Sequence, residues 1–346
     1  MGDAKQHHYI PICYSKNFSD DRGFLSLVDL WGDGKKFSSK PKNVLKEKYL
    51  YSQPLYSENR FDDSIERFFS NEVESSWTPI VSRMRRKIEI SQEDWAGFVR
   101  FISSMHIRVP SKRYAVIELL RESVFRQMSQ FDLDVPDMPE EISRQYRDLA
   151  GESAKDKPSI KDLIDVGVVR VSIDPHRYIS SMSRLISSII LFSKGFRFGI
   201  PRVVHNETDV PFVSSDNPVC FFSGQSLKHV ESPYLIRDNR SFSFIFPISS
   251  KMILVNGCLA KGKSIHASVD RVDFVRDVNK VVFKFANRFV FSSNHDALAG
   301  ASKFSDVCPR PVYSRSIVLP GRVDFIYYRF GLPKKIYDGW EYGIKR

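Results

Sequence analysis

Between Ile65 and Met105 apolar side chains recur every three or four residues, and no other feature of the chain narrows its fold so far. The first stretch carries Ile65, Phe68, Phe69, Val73, Trp77, Ile80, Val81, Met84 and Ile88. Steps of three and four place such residues on one face of a helix. Pro79 lies inside the run and has no amide hydrogen to donate, which predicts a kink or split near Ser75. Ser91 predicts the start of a second helix, with Asp94 three residues on as a weaker form of the capping box. Its buried stripe is Trp95, Phe98, Val99, Ile102 and Met105, and it ends before Pro110. A third helix is expected over 112–131.

The flanks follow another period. Residues 24–30 alternate loosely and meet Gly32-Asp33-Gly34, after which the pattern resumes at Lys36, so strand, turn and strand are expected. A short Tyr-rich strand is expected over 48–52. The acidic, proline-containing stretch 132–141 is expected as an exposed loop, with a short helix over 142–150. Asp174-Pro175 predicts a helix start and Gly195 its end. Beyond it, strands are expected over 196–204, 211–213, 219–222, 242–247 and 252–256, with 247–250 as a hairpin turn. One helix over 270–287 interrupts them, with Val275, Val278, Val282, Phe285 and Ala286 on one side, and 311–331 returns to strand patterning. Strands, then helices, then strands predict an α+β fold: an N-terminal strand hairpin, a central helical bundle and a C-terminal, mostly antiparallel sheet. The polar stretch after Ala150 suggests two lobes, 1–150 (β-hairpin plus helices) and 151–346 (helix plus β-rich part), or both as one composite domain.

Charge constrains the partners. Lys and Arg number 52 against 41 Asp and Glu, a net charge of +11. Such a surplus favours phosphate-bearing or other anionic partners, RNA or DNA among them. The four cysteines are widely spaced with no Cys-x-x-Cys, which argues against a zinc finger or a disulfide frame. The N-terminal residues lack an apolar signal core, and no apolar run reaches the ~20 residues of a membrane span. A cytoplasmic protein without a membrane segment is expected; oligomeric state is left open. There is no Gly-rich phosphate loop, no His-Glu-x-x-His and no Gly-x-Ser-x-Gly.

Weaker constellations remain. His7-His8-Tyr9-Ile10-Pro11 precedes Asn17-Phe18, and a histidine there serves either proton transfer or a structural hydrogen bond. Glu66 falls on the apolar face of the kinked helix and Glu74 at its margin. A carboxylate facing a core needs a partner or a proton, so both are candidates for a buried site or for a salt bridge to Arg67, Arg100 or Arg108. Arg108 closes its helix, where it complements the dipole or grips a phosphate. Ser214-Ser215-Asp216-Asn217-Pro218 sits between two strand-like segments, as a functional loop or an Asx turn. Arg83, Arg85, Arg86 and Lys87 form either a phosphate-facing patch or a solvated helix end.

In order and spacing, these boxes resemble the bacterial family of proteins of unknown function DUF4238. His8-Tyr9-Ile10-Pro11 with Asn17-Phe18 is similar to its opening box. Pro41-Lys42-Asn43-Val44 with Glu47 and Tyr51 resembles the next, and Glu74 to Pro79, Arg108-Val109-Pro110, Ser214 to Val219, Pro247 to Ser250 and Val278-Asn279 to Phe289-Val290 follow. Ser15-Lys16, His106 and Val109 depart from the family pattern. The resemblance implies a bacterial defence role, antiphage or toxin-like. One expectation is that the boxes gather in a single cleft that hydrolyses a phosphodiester in RNA or DNA. Glu47, Glu74 and Asp216 would hold a divalent ion such as Mg²⁺, and His8 would move the proton. Arg108, Asn17, Asn43 and Asn217 would hold the substrate. The rival expectation is a non-enzymatic protein that binds nucleic acid or a phage component, its polar boxes forming a buried network. An open pocket ringed by His8, Glu47, Glu74 and Asp216 would favour the first; sealed, mutually bonded side chains would favour the second.

Overall fold

The protein is described by a computed structural model covering residues 6–31, 34–48, 50–51, 53–55, 60–110, 113, 124, 135, 138–168, 201–223, 242–256, 265–304, 312–319 and 322–329. The helices expected over 112–131 and 174–195 lie largely or wholly outside these residues.

The central helices form as their periodicity dictates. A short helix α1 (Ile12–Ser15) precedes them, and α2 (Ser64–Phe68) runs into a π-helical stretch at Phe69–Glu74. The chain then turns at Ser75 and Ser76 and restarts as α3 (Trp77–Arg85). Pro79 falls in the first turn of α3, where its missing amide hydrogen costs nothing. Helix α4 (Gln92–Arg108) opens on Ser91, whose Oγ accepts the amide of Asp94 at 3.1 Å. Its stripe of Phe98, Ile102 and Met105 is fully buried. Val109 is extended, as a residue before proline must be (φ −74°, ψ 148°). Trp77 stacks on Phe101 with centroids 4.1 Å apart and on Phe98 at 5.7 Å. Such pairs add to the stabilisation from burial alone.

Strands from both ends of the sequence share sheets. β1 (Gln6–His8) pairs antiparallel with β4 (Lys46–Lys48), His7 opposite Glu47. The hairpin β2 (Leu25–Asp29) and β3 (Lys35–Ser39) extends into a four-stranded sheet of order β3-β2-β13-β8, where β8 is Ser214–Ser215 and β13 is Phe289–Ser292. A five-stranded sheet has the order β12-β7-β11-β10-β9. It comprises β7 (Arg202–Asn206), β9 (Cys220–Ser223), β10 (Phe242–Ser249), β11 (Met252–Asn256) and β12 (His266–Val269). Its pairings are antiparallel except for β12 on β7. Two further hairpins join β5 (Gln53–Leu55) to β6 (Arg60–Asp62) and β14 (Val312–Leu319) to β15 (Arg322–Arg329). Further α-helices are α5 (Glu140–Ala150), α6 (Ile160–Asp165) and α7 (Val272–Phe285), and short 3-10 turns link several elements. The fold is α+β, with an N-terminal hairpin and a mostly antiparallel C-terminal sheet.

Three local expectations need correction. Of the Tyr-rich segment 48–52, Lys48 is the last residue of β4 and Leu50 and Tyr51 form a turn, where the amide of Tyr51 donates to Nδ1 of buried His7 at 2.9 Å and not to a neighbouring strand. Residues 211–213 are likewise not a strand, since Asn279 of α7 takes their backbone groups, accepting from Val213 N and donating to Pro211 O at 3.0 Å each. The hairpin turn expected at 247–250 lies at Ser250–Lys251; β10 runs through Pro247, with a register shift between Pro247 and Ser249.

One apolar cluster joins the two ends of the chain: Tyr14, Phe18 and Leu27 pack with Phe246, Val282 and Phe291. Tyr14 Oη donates to Pro247 O at 2.8 Å and lies 2.7 Å from Ser214 Oγ. Among the described residues no helix is long and apolar enough to cross a membrane.

Candidate functional site

The alternation of β1 decides what its two histidines do. His7 points inward, is fully buried and stacks on Tyr51 with planes 5° apart. His8 is half-buried, its Nε2 3.3 Å from Lys42 O, and burial lowers its pKa. Its carbonyl accepts Arg108 Nη2 at 2.6 Å.

Arg108 is the centre of a buried knot. Its side chain is 1% exposed, and Nη1 donates to Glu74 Oε1 at 2.9 Å. The guanidinium lies 4.7 Å from the ring centre of Phe69 and 5.8 Å from that of Tyr51. The π-helical stretch lies between Glu66 and Glu74. In a regular helix, eight residues at 3.6 per turn would leave them about 80° apart; here both carboxylates act on the same guanidinium. Glu66 Oε2 is buried without a hydrogen-bond partner. Burial, with Glu74 and Asp63 nearby, pushes its carboxyl up to about 7 against the pull of Arg108.

Asp216 is a clamp. It is 1% exposed and accepts three backbone amides, Asn287 N and Arg288 N at 2.8 Å and Phe289 N at 3.1 Å. Burial pushes its carboxyl up to about 6, against the pull of these donors. Asn217 Nδ2 donates to Phe285 O at 2.9 Å, at the end of α7. The two side chains thus fix the path from α7 into β13.

The same loop walls a pocket of about 330 Å³. Lining it are Gln6, Tyr9, Asn43, Val44, Leu45, Lys46 and Glu47 from the β1–β4 region, Trp31 beyond β2, Pro110 beyond α4, and Asp216, Asn287, Arg288 and Phe289. Arg288 donates from Nε and Nη2 to both oxygens of Asp29, at 2.8–3.1 Å. Its guanidinium lies 4.7 Å from the ring centre of Phe289 and 5.2 Å from that of Trp31. Trp31 Nε1 donates to Asn287 O at 2.8 Å. Glu47 is paired with buried Arg113 at 2.7 Å.

The family described as "Protein of unknown function (DUF4238)" matches residues 6–296. The chain belongs to the DUF4238 family. No curated protein and no solved structure matches it. The matched span contains every residue of the pocket and of the Arg108 knot.

Folding does not gather the DUF4238-like boxes in one place. Asn43, Glu47 and Asp216 line the pocket. His8, Glu74 and Arg108 meet in the knot. Asn17 Nδ2 closes the turn after α1 by donating to Cys13 O and Tyr14 O, and Asn217 faces α7. A Mg²⁺ shared by Glu47, Glu74 and Asp216 does not fit this arrangement. Glu74 is bonded to Arg108, both oxygens of Asp216 are taken by amides, and among the described residues no group of three or more His, Cys, Asp and Glu side chains is placed to hold a metal. Trp31, Lys46, Asn287 and Arg288 escaped the reading of the sequence. Asn287 ends the helix predicted over 270–287 and Arg288 lies between it and Phe289-Val290, a junction that could have marked them.

Proposed function

We propose that this protein binds one nucleotide unit of an RNA or DNA strand in the pocket beside Arg288. The observation that carries this is the pocket's wall. Trp31 and Phe289 flank a guanidinium that Asp29 holds in place, with the Asn43 and Asn287 amides and the Lys46 ammonium around the same space. Aromatic and guanidinium planes stack on any base, and amide side chains pair with base edges. The volume stands at the lower end of the roughly 300–1,000 Å³ range of ligand pockets, a match for one nucleotide. The knot and the clamp then serve as the frame, since Arg108 is bonded to Glu74 and to the His8 carbonyl and both oxygens of Asp216 are bonded to the backbone. In the setting that the family resemblance implies, the protein would act in a bacterial cytoplasm on foreign nucleic acid.

Titration of the protein with nucleoside monophosphates and labelled oligonucleotides, followed by tryptophan fluorescence and calorimetry, tests this. Saturable binding is expected, weakened about 5- to 150-fold in Trp31→Ala, given that stacking on one base contributes roughly 1–3 kcal/mol. Wild-type protein that binds no nucleotide, or a Trp31→Ala variant that binds equally well, would refute it. Because Glu47 and Asp216 share the pocket, hydrolysis is the second reading. Cleavage of a labelled strand with Mg²⁺ or Mn²⁺, abolished in Glu47→Gln, would favour it.

A further inference from the structure

The end of α3 carries four cations in five residues: Arg83, Arg85, Arg86 and Lys87 are all exposed. Three of them are held. Arg83 Nη1 lies 3.3 Å from Asp94 Oδ2, Arg85 Nη2 donates to Asn17 Oδ1 at 3.4 Å, and Lys87 Nζ donates to Ser268 Oγ of β12 at 3.4 Å.

A helix dipole favours cations in the last turn, which accounts for Arg83 and Arg85. It does not account for Lys87. The helix closes by a Schellman motif, with Ile88 N donating to Arg83 O at 3.1 Å and Lys87 N to Met84 O at 3.0 Å. That motif sets Lys87 in the left-handed region, at φ +56°. Glycine or asparagine is the usual residue there, because a Cβ is strained in this conformation. A lysine at a place where glycine is cheaper, next to three arginines and anchored to a neighbouring sheet, is a cation kept in position at a cost to the backbone. Three of the four charges are thus positioned by side-chain contacts, and Lys87 by the helix-closing turn as well.

We infer that this row is a second binding surface, distinct from the pocket, which contacts the phosphate backbone of nucleic acid without reading its sequence. Each phosphate neutralised by a fixed cation releases counterions, so affinity should fall steeply with salt. The surface needs no unstacked base, unlike the pocket. Arg86, which makes no side-chain hydrogen bond among the described residues, is the member freest to reach a phosphate.

The test is fluorescence anisotropy of a labelled duplex, which offers no unpaired base to the pocket, at a series of salt concentrations. Wild-type protein is expected to bind with a linear fall of log affinity against log salt. Arg85→Ala/Arg86→Ala/Lys87→Gly is expected to lose at least tenfold in affinity at low salt and about 2.7 in slope, three phosphate contacts at roughly 0.9 each. Its melting temperature should be no lower than that of wild type, because glycine relieves residue 87. Titration of the same variant with nucleoside monophosphates should match wild type, so that failure at the row and failure at the pocket register separately. Unchanged duplex binding in the variant, or wild-type binding to anionic lipid vesicles but not to duplex, would overturn the inference.

Discussion

At the scale of single residues, the two carboxylates on Arg108 behave differently. Glu74 takes the ion pair; Glu66 is left with a buried oxygen and a carboxyl raised to about 7. The folded state therefore holds this proton more tightly than the unfolded chain does. The resulting stability is fully present below the ordinary carboxyl range, is lost as pH climbs through about 7, and changes little above it. Glu66→Gln should remove this dependence. Its unfolding free energy in urea is expected to equal or fall below that of wild type at pH 4.5 and to exceed it at pH 8, by an amount on the order of 2 kcal/mol. Parallel midpoints at the two pH values would contradict this. Glu74 and Arg108 were legible in the sequence as a carboxylate at the margin of an apolar face and a cation at a helix end. The pairing of Glu47 with Arg113 was not, because both residues lie in segments whose periodicity says nothing of their neighbours.

At the scale of elements, local chemistry did most of the work. Pro79 split its helix where the missing amide demands, and Ser91 capped the next one as its hydroxyl and Asp94 suggested. The failures came where a distant side chain took the backbone's hydrogen bonds, His7 at Tyr51 and Asn279 at 211–213. The junction of α7 and β13 hangs on Asp216. Asp216→Ala leaves three amides without their acceptor, each costing about 1–3 kcal/mol when buried, so a loss on the order of 4 kcal/mol is expected in chemical denaturation. A loss under 1 kcal/mol would show that the loop finds other acceptors. Loss of binding in this variant would thus report a displaced Arg288 as much as a missing carboxylate. The pocket itself was legible only in part, since Asn43, Glu47 and Asp216 belong to recognisable boxes while Trp31 and Arg288 are brought in by strand pairing.

At the scale of the molecule, the order of strands in space departs from their order in sequence. β2, laid down within the first thirty residues, pairs with β13 from Phe289–Ser292, and β8 borders the other side. Such register between remote segments leaves no mark on local pattern; the division expected after Ala150 rested on the polar stretch that follows it, with one composite domain as the alternative. A fragment of residues 1–150 lacks β8 and β13 and exposes the edge of β2. It is expected to show neither dispersed amide resonances nor a cooperative melt, and a folded fragment would show that the shared sheet is dispensable.

Tyr14 meets Ser214 and Pro247 at separations of 200 and 233 residues. A ribosome adds roughly 5–20 residues per second, so the N-terminal aromatics emerge on the order of 10–45 seconds before their partners exist. Until then Tyr14 can pack only on its earlier partners such as Trp77 and Phe101, and Phe18 still lacks Phe291. Newly made copies of this protein should therefore depend on chaperones that shelter apolar segments during synthesis.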